Sequence, residues 1–349
     1  TIEKEKSSGF KNLIINGGLD IFQEGESKIF NANETHYCAD MFVSQNYTFD
    51  PIDNGQFTIS KGNINGRNSL KTTVNIPKPI TTNTSYWHGN VYSFEGNQLY
   101  RITKQGKDVT LSFLFNSNIS GEFPILFQNY SLISGVPDHY LQTFNYNTPN
   151  IPMKVEVTIP FSSFNGIISD NNNRGFRIVI GFLGTQNYVY EITNQWTTVP
   201  SYATPTCVNW GETIGNFWEI AEIQLEEGNK ATSFENIPSS LTFSLCQRYF
   251  EKISYSGSFD IWEGCASDDH NYCYAPSWIF KTKKRVVPAI LTSSIKDNTS
   301  TDWRFIGCTS WSIAPTKESC GIVLNGTIPG KRCYMHLNVN SWIAADARF

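Results

Sequence analysis

The chain is 349 residues long, 40% hydrophobic and 14% aromatic, with only 17% charged residues. Its 27 Lys+Arg against 31 Asp+Glu leave a net charge of −4, which argues against nucleic-acid or anionic-membrane binding because both need a basic face. No apolar run approaches the roughly 18–20 residues that cross a bilayer, the aromatics exclude disorder, and the Asn-, Ser-, Thr- and Gly-rich composition excludes a long-helix protein.

Residues 1–9 are polar and aperiodic and read as a linker or disordered end. From 10 to 236 the sequence reads as short strands divided by turns. The strand-like runs are Leu13–Ile15, Gln56–Ser60, Ser69–Ile76, Val109–Phe115, Val155–Ile159, Phe176–Phe182 and Trp218–Leu225. Strict alternation over Lys154–Ile159 marks a half-buried strand, and Asn16-Gly17-Gly18, Asp53-Asn54-Gly55 and Asn65-Gly66 mark turns. Many short strands with no interleaved helix predict a jelly-roll β-sandwich over 10–236. Pro238-Ser239-Ser240 then offers a helix start, and the spacing of Leu241, Leu245 and Tyr249 predicts a linking α-helix over 237–252. Residues 253–349 return to β, with Ser277–Phe280, Val286–Thr292, Trp303–Cys308, Cys320–Leu324 and Cys333–Val339 as strands of a smaller antiparallel β-sandwich. The fold class is therefore all-β.

Eight cysteines, none in a CxxC pair, read as scattered buried thiols, with one or two disulfides if the chain matures outside the cell. Cys265 and Cys273 flank Asp268-Asp269-His270, but a zinc site would need a second matching pair.

Two stretches carry a family pattern. The first is Asn12-Leu13-Ile14-Ile15-Asn16-Gly17-Gly18-Leu19-Asp20-Ile21-Phe22-Gln23, followed by Tyr37-Cys38-Ala39-Asp40-Met41-Phe42. The second is Gln224-Leu225-Glu226-Glu227-Gly228, then Ala231-Thr232-Ser233-Phe234-Glu235, then Cys246-Gln247-Arg248-Tyr249-Phe250. In order and spacing they resemble the jelly-roll module of bacteriophage tail-fibre and receptor-binding proteins, and Ala345-Asp346-Ala347 resembles that family's ending. Leu19, Met41-Phe42 and Arg348-Phe349 depart from the pattern, and about 80–210 and the cysteine-rich end show no matching motif. The resemblance implies a homotrimer in the virion, with other tail proteins and a host-surface glycan or receptor as partners. It also implies, through related glycan-binding jelly rolls, a structural Ca²⁺ held by Asp20 and Glu222; a salt bridge or solvated carboxylate is the other reading of those two residues. No other cofactor is expected. Most of the shared motif positions are expected to hold the fold rather than a ligand.

No nucleophile elbow, phosphate loop, HExxH or dinucleotide fingerprint is present, so no catalytic residue is assigned. Glycan binding uses aromatic faces against sugar C–H surfaces, with amides and carboxylates on the hydroxyls. Aromatics set in polar sequence are the candidates: Trp87 with His88, Trp196, Asn209 with Trp210, and in the C-terminal part Trp262 and Trp311 with Asp269. Each tryptophan also suits a sandwich core, and Trp218, Trp278 and Trp303 lie in strand-like runs as core residues would. The expected function is a non-catalytic, glycan-adhering protein without membrane insertion. The alternatives are a glycan-cleaving tailspike-like enzyme and a structural virion component with no ligand.

Overall fold

The computed structural model describes residues 9–48, 55–77, 86–130, 138–184, 189–254, 259–265, 272–292, 303–306, 310–325, 332–337 and 342–349. Two compact units divide the chain, Thr1–Thr242 together with Phe349, and Phe243–Arg348. Among the described residues no helix is long and apolar enough to cross a membrane.

The first unit holds β1 (Ser27–Phe30), β2 (Glu34–Tyr37), β3 (Phe42–Thr48), β4 (Gln56–Ile64), β5 (Arg67–Ile76), β6 (Tyr86–Glu95), α1 (Gly96–Lys104), β7 (Val109–Ser117), β8 (Gly121–Asn129), β9 (His139–Tyr146), β10 (Met153–Ile159), β11 (Arg174–Gly184), β12 (Trp196–Thr197) and β13 (Phe217–Glu227). They form a six-stranded sheet, β1-β4-β5-β13-β7-β10, and a seven-stranded sheet, β12-β9-β8-β11-β6-β3-β2. The chain passes repeatedly from one sheet to the other, as a jelly roll does. In β10, Val155, Val157 and Ile159 are buried while Lys154 and Glu156 face out, so the alternation in the sequence is the alternation of the strand.

Aromatic rings join the two sheets. Phe115 of β7 meets Phe123 of β8 at 4.8 Å and Tyr146 of β9 at 5.2 Å, and Phe57 of β4 meets His88 of β6 at 4.4 Å. Each fully buried Phe contributes roughly 2–3 kcal/mol. Gly181, at φ +68°, lies under the Trp218 indole, where a Cβ would come within 2.1 Å of the ring.

Two expectations need correction. Helix α1 interrupts the β-region: Leu99 and Ile102 are buried one turn apart, the Gln98 side chain accepts from the Glu95 N–H, and Arg101 and Lys104 sit at the C-terminal end. Leu13–Ile15 is not a strand, for reasons found at Asn12 below.

The second unit contains most of α2 (Ser239–Gln247) and then β14 (Phe250–Ser254), β15 (Phe259–Cys265), β16 (Tyr272–Ile279), β17 (Ala289–Thr292), β18 (Trp303–Ile306), β19 (Ser310–Pro315), β20 (Ser319–Asn325), β21 (Arg332–Leu337) and β22 (Trp342–Asp346). They pair as three antiparallel three-stranded sheets, β14-β22-β17, β15-β21-β18 and β16-β20-β19. The helix stops at Gln247 rather than reaching Lys252, because Phe250 starts a strand paired to Asp346. Lys284, fully buried, donates to Glu251 Oε2 at 2.7 Å and to the Gln247 carbonyl at the end of α2. Burial pulls the Lys284 ammonium below its ordinary pKa, and the Glu251 carboxylate opposes that shift. The Arg348 guanidinium binds Asp346 at 2.7 Å and lies 4.1 Å from the Phe250 ring, so this departure from the family ending closes on its own strand.

Candidate functional site

The recognisable stretches of the first unit meet around β13. Asn12 is buried; its Nδ2 donates to the Ile223 carbonyl at 3.0 Å, and its Oδ1 accepts from Ile14 N–H and Leu225 N–H at 3.0 and 3.1 Å. That side chain occupies hydrogen-bonding positions a neighbouring strand would use, so the N-terminal run is pinned to β13 through Leu13 N–H to Leu225 O without becoming a strand. Gly17 crosses so close to β13 that a Cβ would stand 2.1 Å from the Ile223 carbonyl oxygen. Gln224 accepts from Glu235 N–H and donates to Glu226, and Glu226 accepts from the N–H and hydroxyl of Thr232, all at 2.8 Å. Burial would raise the Glu226 carboxyl, but the bonds from Thr232 and Gln224 and the Lys11 charge hold it below its ordinary pKa. Asn16 donates to Asp40 O, and Asp40 accepts from Gln23 N–H at 2.9 Å. Leu19, Met41 and Phe42, which depart from the family pattern, are buried with this knot.

Beside the knot opens a groove of about 570 Å³, on the outward side of the six-stranded sheet. The β4–β5 turn supplies Arg67 and Asn68, β10 supplies Lys154, and the segment after β13 supplies Ser233, the half-buried Phe234 and Asn236. Glu222 joins them because β13 bulges between Ala221 and Gln224, with Glu222 at φ +49°. Arg67 Nε donates to Glu222 Oε1, Asn68 Nδ2 donates to Asp20 Oδ1 at 2.8 Å, and Lys154 pairs with Glu156.

Asp20 and Glu222 therefore line one groove, as a shared role requires. Ca²⁺ takes six to eight oxygens, and the two carboxylates would have to be joined by carbonyl and amide oxygens to hold it. A guanidinium already neutralises Glu222, and no group of three or more His, Cys, Asp or Glu converges among the described residues. Arg67, Asn68, Phe234 and Asn236 were not among the sequence candidates. Asn65-Gly66 announced the turn that presents the first two, but nothing local to the sequence brings that turn to residue 234.

The other candidates separate. His88 and Trp210 do meet, at 5.2 Å, but inside the core: both are 0% exposed, and the indole donates to Gly181 O at 3.2 Å. They are core residues rather than ligand contacts, because the polar-looking Tyr86–His88 stretch is the start of a central strand. Asn209 precedes the single helical turn at Trp210, and its amide nitrogen and oxygen are buried without a partner. Trp196 is half-buried at the β12 edge, 4.7 Å from Phe164 and 5.2 Å from Tyr140, with its N–H on Pro160 O at 3.0 Å. Trp218 and Trp278 are buried, as their strand positions suggest. The side chains of Trp87, Trp262, Trp303 and Trp311, and all of Asp269, lie outside the described residues, as does the Cys265–Cys273 cluster's His270. Among the described cysteines, Cys38 and Cys320 are buried free thiols, Cys246 is buried and Cys207 is half-buried; burial pushes Cys38 up to about 12 and Cys320 to about 11.

The outward face of the seven-stranded sheet is closed differently. Val43, Val91, Val179 and Leu126 form one row in register across β3, β6, β11 and β8. Val189, Tyr202, Ala203 and Cys207, from the segment before β13, lie over that row. This strap is fastened to Glu122 of β8, whose carboxylate accepts from Thr204 and Thr206 hydroxyls at 2.9 and 3.1 Å and whose carbonyl accepts from Val208 N–H.

No protein-family model matches the sequence, and no curated protein does. Among solved structures, a family 11 carbohydrate-binding module of a Clostridium thermocellum cellulosomal cellulase aligns at 15% identity over 59% of this chain and 96% of its own, with a TM-score of 0.31. A xylan-binding family 22 domain from Paenibacillus barcinonensis aligns at 14% identity over 52% and 91%, with a TM-score of 0.28. The enzymatically active domain of tailspike protein 4 from bacteriophage CBA120 aligns at 8% identity over 62% of this chain and 21% of its own, with a TM-score of 0.28. Likeness at these values does not bear on what this chain binds.

Proposed function

We propose that this chain is a non-catalytic adhesin of the phage tail-fibre type, which holds a host-surface glycan in the groove beside β13. The observation that carries the reading is the chemistry of that groove. Amide, hydroxyl, carboxylate and guanidinium groups from Asn68, Asn236, Ser233, Asp20 and Arg67 surround one half-buried aromatic ring, Phe234. Sugars present that alternation of hydroxyl edge and apolar C–H face. The non-catalytic assignment is supported by the Glu222 carboxylate, which the Arg67 guanidinium holds in its ionised form, since glycoside hydrolysis needs a carboxyl group able to give up a proton. The tail-fibre assignment is supported by the motifs, whose residues interlock around one strand. A homotrimer in the virion would present three such grooves and raise a weak single-site affinity by avidity. The experiment is binding of the purified chain to intact bacterial cells and a bacterial glycan array, with reducing-end release assayed in the same wells. Saturable binding without release, weakened by Asn68→Ala and Phe234→Ala, is the expected result. Release of sugar would move the function to an enzyme, and neither signal would leave a structural particle component. Binding insensitive to the groove variants but lost in Trp87→Ala, Trp196→Ala, Trp262→Ala or Trp311→Ala would move the site.

A further inference from the structure

A recess of about 10 Å³ adjoins the groove and shares Gly18, Asp20, Phe234 and Asn236 with it as common walls. That is the room one water-sized group takes. The common walls come close at Gly18, where a Cβ would stand 3.1 Å from Asp20 Oδ2 and 3.8 Å from Phe234 Cζ. The bare glycine therefore leaves a carboxylate oxygen and the tip of an aromatic ring facing one space. The knot fixes Asp20 there: Leu19 is fully buried at φ +56°, and buried Asn16 accepts from the Asp20 N–H at 2.9 Å. Asn68 bonds only to Oδ1, and Oδ2 has no partner among the described residues. Glu235 also lines the recess; its Oε2 accepts from Asn12 N–H at 2.8 Å, and its Oε1 has no partner among the described residues. Thr242 of α2 is a further wall. It is only 5% exposed, and its hydroxyl has no partner among the described residues.

Two carboxylates, an amide and a hydroxyl thus wall a space that no Lys, Arg or His lines. The cations around the groove are engaged elsewhere: Arg67 pairs with Glu222, Lys154 with Glu156, and Lys11 donates to the Thr232 hydroxyl and the Ser233 carbonyl. A small group that carries positive charge and donates hydrogen bonds fits those walls. An ammonium does both, with three N–H donors on one atom. Among the described residues no third His, Cys, Asp or Glu joins the two carboxylates closely enough to hold a metal ion, which favours the amine. An acetamide carries no charge and exceeds a space that admits one water-sized group. We propose that the recess takes the ammonium of an amino sugar whose ring lies in the groove, so that the recognised glycan carries free, unacetylated amines. This choice of ligand rests on the adhesin reading of the groove. Phe234, shared by both spaces, then packs on ring C–H groups beside the amine.

The test uses the full chain with glucosamine, N-acetylglucosamine, glucose and calcium chloride as probes, followed by the amide resonances of Gly18 and Asn236 in isotope-labelled protein. Glucosamine is expected to shift those resonances saturably, at about tenfold lower concentration than either of the other sugars. Asp20→Asn should bring glucosamine down to the level of glucose. Gly18→Ala, which keeps both carboxylates but puts a methyl group between Asp20 Oδ2 and the ring, should do the same. Thermal melting confirms that each variant is folded. Equal responses to glucosamine and N-acetylglucosamine, or none to any sugar, would overturn the recess, even if cells are still bound through Asn68 and Phe234. Calcium shifting the resonances where glucosamine does not would overturn the amine in favour of a metal ion. A preference for glucosamine that survives Gly18→Ala would place the amine outside the recess and overturn the assignment. A glucosamine response without any adhesion to cells or arrays would leave the recess standing and overturn the adhesin reading.

Discussion

The first unit finishes the outward sides of its two sheets in opposite ways. Against the six-stranded sheet, the knot of Asn12, Gln224, Glu226 and Glu235 satisfies its buried amides and carboxylates among themselves, and the adjoining groove is open, with Glu222 paired to Arg67 and Asp20 bonded to the Asn68 amide. Against the seven-stranded sheet, the chain lays its own strap over an apolar row and leaves Arg174 Nε and His139 Nδ1 buried without partners. An unpaired buried polar atom costs about 1–3 kcal/mol. The difference is one of polar satisfaction: the motif residues make a closed polar network, and the region without a matching motif carries buried polar atoms with no partner.

That contrast can be broken at several points. The largest effect is expected from Gly17→Val, which drives a side chain into the Ile223 carbonyl; a loss of about 3 kcal/mol or more in denaturant unfolding would register it. Asn12→Ala, which removes three buried bonds, should cost nearly as much, roughly 2–3 kcal/mol. A neutral loss at either position would mean that the knot does not hold the fold.

Acid should weaken the other side. The His139 pKa is depressed from 6.5 to about 4 in the folded chain, so between those values the unfolded chain binds more protons. Stability attributable to His139 is therefore full above pH 6.5 and is lost as pH falls through 4, by at most about 3 kcal/mol. Unfolding measured across that window should flatten in His139→Gln, and identical profiles would contradict the burial assigned to this ring. Glu122→Ala, which unfastens Thr204 and Thr206, should cost about 1–2 kcal/mol and speed amide exchange over 201–208 more than in the knot. The smallest effect on stability belongs to Asn68→Ala and Phe234→Ala, within about 1 kcal/mol, although adhesion should fall about tenfold.

Much of the architecture was legible because alternation and turn chemistry are local. Lys154–Ile159 and Asn65-Gly66 announced a strand and a turn that the structure contains. The motifs were legible as scaffold, and Gly17 shows why: no larger residue fits against Ile223 O. The site was less legible. Tyr86–His88 looks like a polar loop, but a central strand can bury His88 among Phe30, Phe57 and Trp210. Phe234 and Asn68 are separated by more than half of the unit's sequence, and only the path of β13 and the exit segment brings them to one groove. Helix α1 was missed because it offers a single turn-spaced apolar pair, Leu99 and Ile102, within a β-rich stretch.

The most direct test of the central claim is amide hydrogen exchange of the full chain, with and without the purified surface polysaccharide of the cells it coats. The account predicts slowed exchange at residues 66–68 and 233–236, around the groove, with the knot residues on β13 unchanged because they are already protected. Protection confined to the second unit, or no protection anywhere at saturating polysaccharide, would contradict it.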